Sequence, residues 1–383
     1  MVPVRSRPAV RTGCRGFESA MARRLESDRI LFGAVVVLVL FGALMVFSAS
    51  AVLAQERYGS SYHFLLRQIV WAVLGLAVMV GAMHFDYHRL ANPLMVFSAL
   101  GLQFLLLVAV LFADRANNAH RWLHLGPVSL QPSEFAKLIM VGFLAYFLSS
   151  RKGKVNDVRH TLLPIGLISV ASVALVMKEP DLGTSLALLL IVSAMLFAAG
   201  LRVIYFAYGA MVTLPILYAA IFHVGYRYRR VLAFLDPNSD PLGKGFQIIQ
   251  SFIAVGTGGI DGVGLMDGKQ KLFYLPEPHT DFIFAVIGEE LGFLGGLFVL
   301  GLFAVILWRG LRAATRCTDE FGRLLAIGLT VMIVGQALVN ISVVLGLMPT
   351  KGIPLPLISY GGSSLLVNLA AVGVLLNISQ HSS

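Results

Sequence analysis

Ten separate runs of apolar residues dominate this chain and leave it little freedom of fold. They fall at about 30–53, 69–84, 90–112, 133–149, 161–177, 182–200, 203–223, 282–307, 324–347 and 357–377. A helix rises 1.5 Å per residue, so about 20 residues cross the roughly 30 Å hydrocarbon layer of a bilayer. Inside that layer every backbone N–H and C=O needs a partner within the segment, which a helix supplies and an open sheet does not. Composition agrees: of 383 residues, 57% are apolar and 13% charged, against about 25% charged in soluble domains. That bias excludes a soluble globular fold and a disordered chain alike. The expected class is all-α, a polytopic membrane protein with ten transmembrane helices. No internal repeat is visible, which argues against an inverted-repeat transporter.

The net charge of +10 would suggest nucleic acid in a soluble protein. In a membrane protein the first question is which loops carry it. With the N-terminus inside, the inner segments hold seventeen Lys and Arg and the short outer loops six. That asymmetry predicts N-in and C-in, with no nucleic-acid partner. Residues 1–28 read as a basic cytoplasmic tail, 29–378 as the ten-helix membrane domain, and 379–383 as a short cytoplasmic tail. The stretch 224–281 reads as a large extracytoplasmic loop between helices 7 and 8. Residues 1–29 hold seven arginines and no apolar core of a signal peptide. Met21 is a second plausible start, so 1–20 read either as a mis-assigned start or as a disordered basic tail. Cys14 and Cys317 have no neighbour at redox or metal-ligand spacing.

The polar-rich loops all fall on the predicted outer side, so chemistry is expected there. At the fourth span, Pro132 suits a first helical position, Glu134 the first turn, and Lys137 the same face as Glu134. The pair reads either as a site or as an ion pair stapling the bundle. In the turn from Lys178 through Glu179 and Pro180 to Asp181, Asp181 reads as a helix cap or as a carboxylate lining an outward cavity. The long loop opens on Gly225-Tyr226-Arg227-Tyr228-Arg229-Arg230. Arg227 and Arg230 suit anionic headgroups or phosphates, though Tyr and Arg also anchor at the interface. The same loop closes on Glu277, His279 and Asp281, an acid–histidine–acid run suited to proton transfer. A cap at the eighth span is the plainer reading of Asp281. Glu289 and Glu290 lie about 12 Å deeper along that helix and need partners there. The last outer loop, Met348 to Ser364, carries Lys351 and three prolines, Pro349, Pro354 and Pro356, and reads as stiff, non-helical backbone.

These motifs resemble the SEDS family of bacterial peptidoglycan glycosyltransferases. The resemblance covers about residues 28–378 and is strong at 130–137, 178–185, 225–240, 274–292 and 348–364. Met348-Pro349-Thr350-Lys351-Gly352 and Leu355-Pro356-Leu357-Ile358-Ser359-Tyr360-Gly361-Gly362 look more like the division branch than the elongation branch. His120 and Asn118 depart from the family pattern ahead of Arg121-Trp122. The resemblance implies polymerisation of lipid II into glycan strands outside the cytoplasmic (inner) membrane, with inversion and release of undecaprenyl diphosphate. It puts the essential aspartate at Asp281 and further functional positions at Glu134, Lys137 and Asp181. Arg227, Arg230 and Lys351 are candidates for diphosphate or headgroup contact, and Glu277 and His279 for the cavity. It implies a class B penicillin-binding protein as transpeptidase partner, other divisome proteins, and membrane lipid. No metal ligand or certain cofactor is assigned. A divalent cation stays open, since no spacing demands one. A lipid II flippase, with Glu289 and Glu290 as its ion relay, and a non-catalytic division scaffold are the competing readings.

Overall fold

The computed structural model describes residues 28–113, 121–125, 128–222, 225–241, 243, 245–272, 274–350 and 352–381. Among them the side chains at 124, 125, 128, 217, 220, 221, 226, 227, 229 and 230 are left undescribed. The expected basic tail, apart from Asp28, and the alternative start at Met21 lie outside the described residues, as does Cys14.

A helix meets each of the ten predicted spans. In order these are α1 (Arg29–Tyr58), α2 (His63–His84), α3 (Pro93–Leu111), α4 (Pro132–Ser149), α5 (Leu163–Lys178), α6 (Leu182–Ala198) and α7 (Val203–Phe222). Two shorter helices, α8 (Gly225–Leu235) and α9 (Phe246–Gly258), precede α10 (Ile283–Arg316), α11 (Glu320–Val344) and α12 (Gly362–His381). Among the described residues, eight helical segments are long and apolar enough to cross a bilayer; α6 and the described part of α7 are shorter. Among the described residues, the departure from all-α is one small hairpin, β1 (Leu123–Leu125) against β2 (Val128–Leu130), with Leu123 opposite Leu130.

Local chemistry sets the helix ends. Asp28 accepts from the Leu31 N–H at 3.0 Å and starts α1, which stops at Gly59 in the left-handed region. Pro93 and Pro132 open α3 and α4, where a missing N–H costs nothing. Close packing comes from small residues. A Cβ on Gly373 of α12 would lie 2.4 Å from the Met79 carbonyl oxygen of α2, so the two backbones meet directly.

Two expectations are corrected. The stretch 224–281 is not simply a loop: α8 and α9 fill much of it. The signal for α9 was Ile248, Ser251, Ala254 and Gly258, spaced by three or four residues, and these are its buried positions. The glycines and prolines around it obscured that period. Also, α12 begins at Gly362 rather than 357. Pro354, Pro356 and Leu357, the last at φ 66°, hold the preceding strap out of helix.

Helix α10 is broken at Gly292 (φ 61°, ψ −158°), and the stretch after α9 fills the break. Val263 and Gly264 N–H groups donate to the Glu289 and Glu290 carbonyls, each at 3.0 Å. Phe293 and Leu294 N–H groups donate to the Gly259 and Ile260 carbonyls at 2.9 and 3.2 Å. Irregular backbone is tolerated at this depth because protein satisfies it. A Cβ on Gly292 would lie 2.4 Å from the Ile260 oxygen. Gly292→Ala is therefore expected to cost at least about 1–3 kcal/mol from backbone strain alone, read as a lower melting temperature in detergent.

The loops sort to two ends of the bundle as the alternation of spans requires. One end gathers the β hairpin, the 179–181 turn, the approach to α10 and the strap before α12. The other is tied by an Arg309–Asp28 ion pair, by Lys152–Glu320 at 3.4 Å and by Tyr87 Oη to Asp319 at 2.5 Å. Helix α7 is exposed at most of its described positions, including Val203, Met211, Val212 and Leu214, and its main neighbour is α8.

Candidate active site

The N-terminus of α4 carries a buried ion pair. Lys137 Nζ lies 3.0 Å from both oxygens of Glu134 and 2.5 Å from Gln336 Oε1 of α11. Both charged side chains are about 2% exposed, consistent with their pairing. The Gln336 amide in turn donates to the Pro354 carbonyl at 3.0 Å. The pair thus bolts α4 and α11 to the strap 352–361, which is the staple of the two readings.

Asp181 takes the plainer of its two expected parts, the helix cap. It caps α6 through the Thr184 N–H (3.0 Å) and hydroxyl (2.8 Å), and accepts from the Gln131 side chain at 3.2 Å. The turn before it is gripped by Arg121, whose Nε donates to the Glu179 carbonyl at 3.1 Å and whose Nη2 donates to the Pro180 carbonyl. Glu179 itself is fully buried, and neither carboxyl oxygen makes a hydrogen bond of ordinary geometry.

Asp281 does not cap α10. Phe282 is the N-cap residue, and no side chain caps that helix start. Three consecutive carbonyls fix the backbone here. Tyr360 N–H donates to His279 O at 2.9 Å, Ser359 Oγ to Thr280 O at 2.5 Å, and Asn340 Nδ2 to Asp281 O at 2.8 Å. Asn340 also donates to Ile353 O at 2.7 Å, so α11 holds the aspartate and the strap together. The carboxylate is half-buried beside Gly352. A Cβ on Gly352 would lie 3.1 Å from Asp281 Oδ2 and 4.0 Å from Arg121 Nη1. A carboxylate and a guanidinium thus share one small space, kept open by a glycine.

His279 is corrected as a proton-transfer group. Its ring is buried against Phe64 (4.5 Å) and Tyr360 (5.6 Å), and Nδ1 has no partner. Nε2 stands 3.8 Å from Glu277, whose side chain is largely exposed. Burial, helped by Arg57, pushes the imidazole down to about 4, so it is neutral at pH 7. The unfolded chain takes up this proton near pH 6.5 and the fold only near 4. Stability is therefore expected to fall as pH drops through that window, and less so in His279→Phe, read from melting temperature against pH.

Glu289 and Glu290 have structural partners rather than the open faces of a relay. Glu289 accepts the Lys269 N–H at 2.7 Å and the Gln270 N–H at 3.1 Å. Glu290 pairs with Lys271 Nζ at 2.6 Å and accepts from Ser48 Oγ at 2.7 Å and the Met266 N–H at 3.1 Å. Together they clip the segment 263–271 under the break in α10.

The sequence matches the cell cycle protein family FTSW_RODA_SPOVE over residues 28–383. The chain belongs to this family. It is 45% identical over 363 residues to a probable peptidoglycan glycosyltransferase FtsW of Geobacter sp. (strain M18), covering 93% of this chain and 98% of that protein. It is 42% identical to stage V sporulation protein E of Bacillus subtilis (strain 168), covering 94% and 99%. Among solved structures it resembles a chain from work on structural coordination of polymerization and crosslinking by a peptidoglycan synthase complex. That match has 34% identity and TM-score 0.77, covering 94% of this chain and 99% of that one. It also resembles the Thermus thermophilus rod shape determining protein RodA, at 30% identity and TM-score 0.69, covering 93% and 97%. Family membership and the apolar helices together make it a multi-pass membrane protein.

In this SEDS member the candidate residues Asp281, Asp181, Glu134 and Lys137 lie toward one end of the bundle. Lys351 lies outside the described residues; Arg227 and Arg230 fall on α8, with side chains outside the description. Sequence reasoning gave no role to Arg121, Glu179, Gln336 or Asn340. Gln336 and Asn340, four apart in an apolar span, carried a readable signal: two polar groups on one helix face. Arg121 and Glu179 carried none, because their meeting is made by the fold. Among the described residues, no group of three or more His, Cys, Asp or Glu could hold a metal ion.

Proposed function

We propose that this protein is a peptidoglycan glycosyltransferase that polymerises lipid II at the outer side of the cytoplasmic membrane, during septal wall synthesis. The naming of its full-length relatives as peptidoglycan glycosyltransferases supports the activity. The observation that carries the reading is Asp281, a half-buried carboxylate next to Arg121, with its backbone tied down on three sides. In the reaction, the Asp281 carboxylate takes the proton of the acceptor sugar hydroxyl. The freed oxygen attacks the anomeric carbon of the donor from the face opposite the diphosphate. The C1–O bond to phosphate breaks, its electron pair leaves with undecaprenyl diphosphate, and the new β-1,4 bond has inverted configuration. Arg121 offers the leaving diphosphate a cation through its Nη1 end. Lys137 holds the strap through Gln336, and the exposed α7 borders lipid, the side from which a polyprenyl chain would approach.

A class B penicillin-binding protein is the proposed partner, supplying transpeptidation, with other divisome proteins at the septum. The flippase reading has lost its best residues, since Glu289 and Glu290 are occupied by the 263–271 segment. The test is purified protein, alone and with its partner, given lipid II in detergent. Glycan chains on a gel support the reading. Lipid II movement across proteoliposomes without chains would overturn it in favour of transport.

A further inference from the structure

Glu179 is a buried carboxyl group that the reaction above does not use. It is 0% exposed, and neither oxygen has a hydrogen bond of ordinary geometry. Its neighbour two residues on, Asp181, is an acid already engaged by Thr184 and Gln131. The cation at hand is Arg121, but its Nε and Nη2 are spent on the backbone carbonyls of Glu179 and Pro180. Its Nη1 end faces the space beside Gly352 and Asp281. An ionised carboxylate in this setting would be a buried charge beside another acid, with the Ser133 hydroxyl as a weak donor and no cation committed to it.

We propose that Glu179 is a positioning residue for the transfer reaction, working as a neutral carboxylic acid that leaves the Arg121 guanidinium directed at the space shared with Asp281. The inference rests on the glycosyltransferase reading. The physical argument is competition for one cation. A neutral Glu179 makes little claim on Arg121, so the guanidinium stays bound to two carbonyls with its far end toward the reacting diphosphate. An ionised Glu179 draws that guanidinium onto itself and away from Gly352. Charged groups around Glu179 are Asp181 in its own turn and Arg121 ahead of β1. Asp281 lies beyond Arg121. Burial first, then Asp181, raise the Glu179 carboxyl to about 8, while Arg121 and the Ser133 hydroxyl pull the other way. The neutral acid is thus the form present at pH 7 and lost above about pH 8.

The variant that decides is Glu179→Gln, which keeps the neutral shape and cannot ionise. With purified protein and lipid II, wild-type chain formation is expected to fall about tenfold from pH 7 to pH 9, as the acid ionises. Glu179→Gln is expected to lack that fall, staying within about twofold over the same range on the same titration argument. In parallel, the infrared difference spectrum between pH 9 and pH 6 should show loss of a protonated-carboxyl band in wild type and not in the variant. An equal alkaline fall in both proteins, or an equal band change in both, overturns the proposal. If wild type forms no chains at any pH, the glycosyltransferase reading fails, while the infrared comparison still decides the state of Glu179.

Discussion

Asp281→Asn and Asp281→Ala are expected to lower glycan-chain formation by about 10²–10⁴-fold, the usual contribution of a general base, with the protein still folded. The second half of that expectation comes from how the residue is held. Asn340 grips its carbonyl, not its carboxylate, and the neighbouring carbonyls of His279 and Thr280 are held in the same way. Removing the side chain leaves this backbone network in place. Asn340→Ala is the informative contrast. It keeps the carboxylate but frees the carbonyls of both Asp281 and Ile353, so it should lower both rate and melting temperature. Wild-type rates in Asp281→Ala would remove the residue as catalyst.

The largest effect on stability is expected at the Glu290–Lys271 pair. The two side chains are 0% and 4% exposed, with 2.6 Å between Nζ and Oε1. Lys271→Met leaves a buried carboxylate with only Ser48 and the Met266 N–H, and should destabilise by about 3–5 kcal/mol. Glu290→Gln should cost a similar amount, because it strands the Lys271 ammonium. The double variant Glu290→Gln, Lys271→Met is expected to be more stable than the sum of the singles predicts, since it leaves no unpaired charge. Thermal unfolding in detergent across the four proteins measures the coupling. Additive losses would show that the two groups do not act as a pair. The loss also bears on function, because the clipped segment leads directly into Asp281.

Much of this was legible beforehand, and the exceptions have definite causes. The spans were readable because hydrocarbon imposes a length and an apolar composition on each of them separately. Asp181 was readable as a cap, and Glu134 with Lys137 as a pair, because those relations lie within one turn of helix. The role of His279 was not readable. Its residue type suggests proton transfer, and only the rings of Phe64 and Tyr360 around it show why it stays neutral. Glu289 and Glu290 looked like a relay because two adjacent acids in a span have no local explanation. Theirs comes from residues about twenty positions earlier and, for Ser48, from the first helix. Helix α9 was hidden in a glycine-rich stretch whose turns are real but whose buried face repeats every three or four residues.

The sequence by itself determined the solvent and the order of the helices, and it predicted a side for the chemistry. Each of these follows from local composition and from charge counted loop by loop, so no long-range contact is needed to read them. Only the tertiary structure decided which charges are bolts and which are reagents. Lys137 and Lys271 are locked into buried pairs, and Arg121 is turned with one end toward Asp281. Glu179 is fully buried, although its place in a short turn between two spans does not say so. A side chain's charge state and reach depend on what excludes water around it. In this protein those walls come from segments tens to hundreds of residues apart.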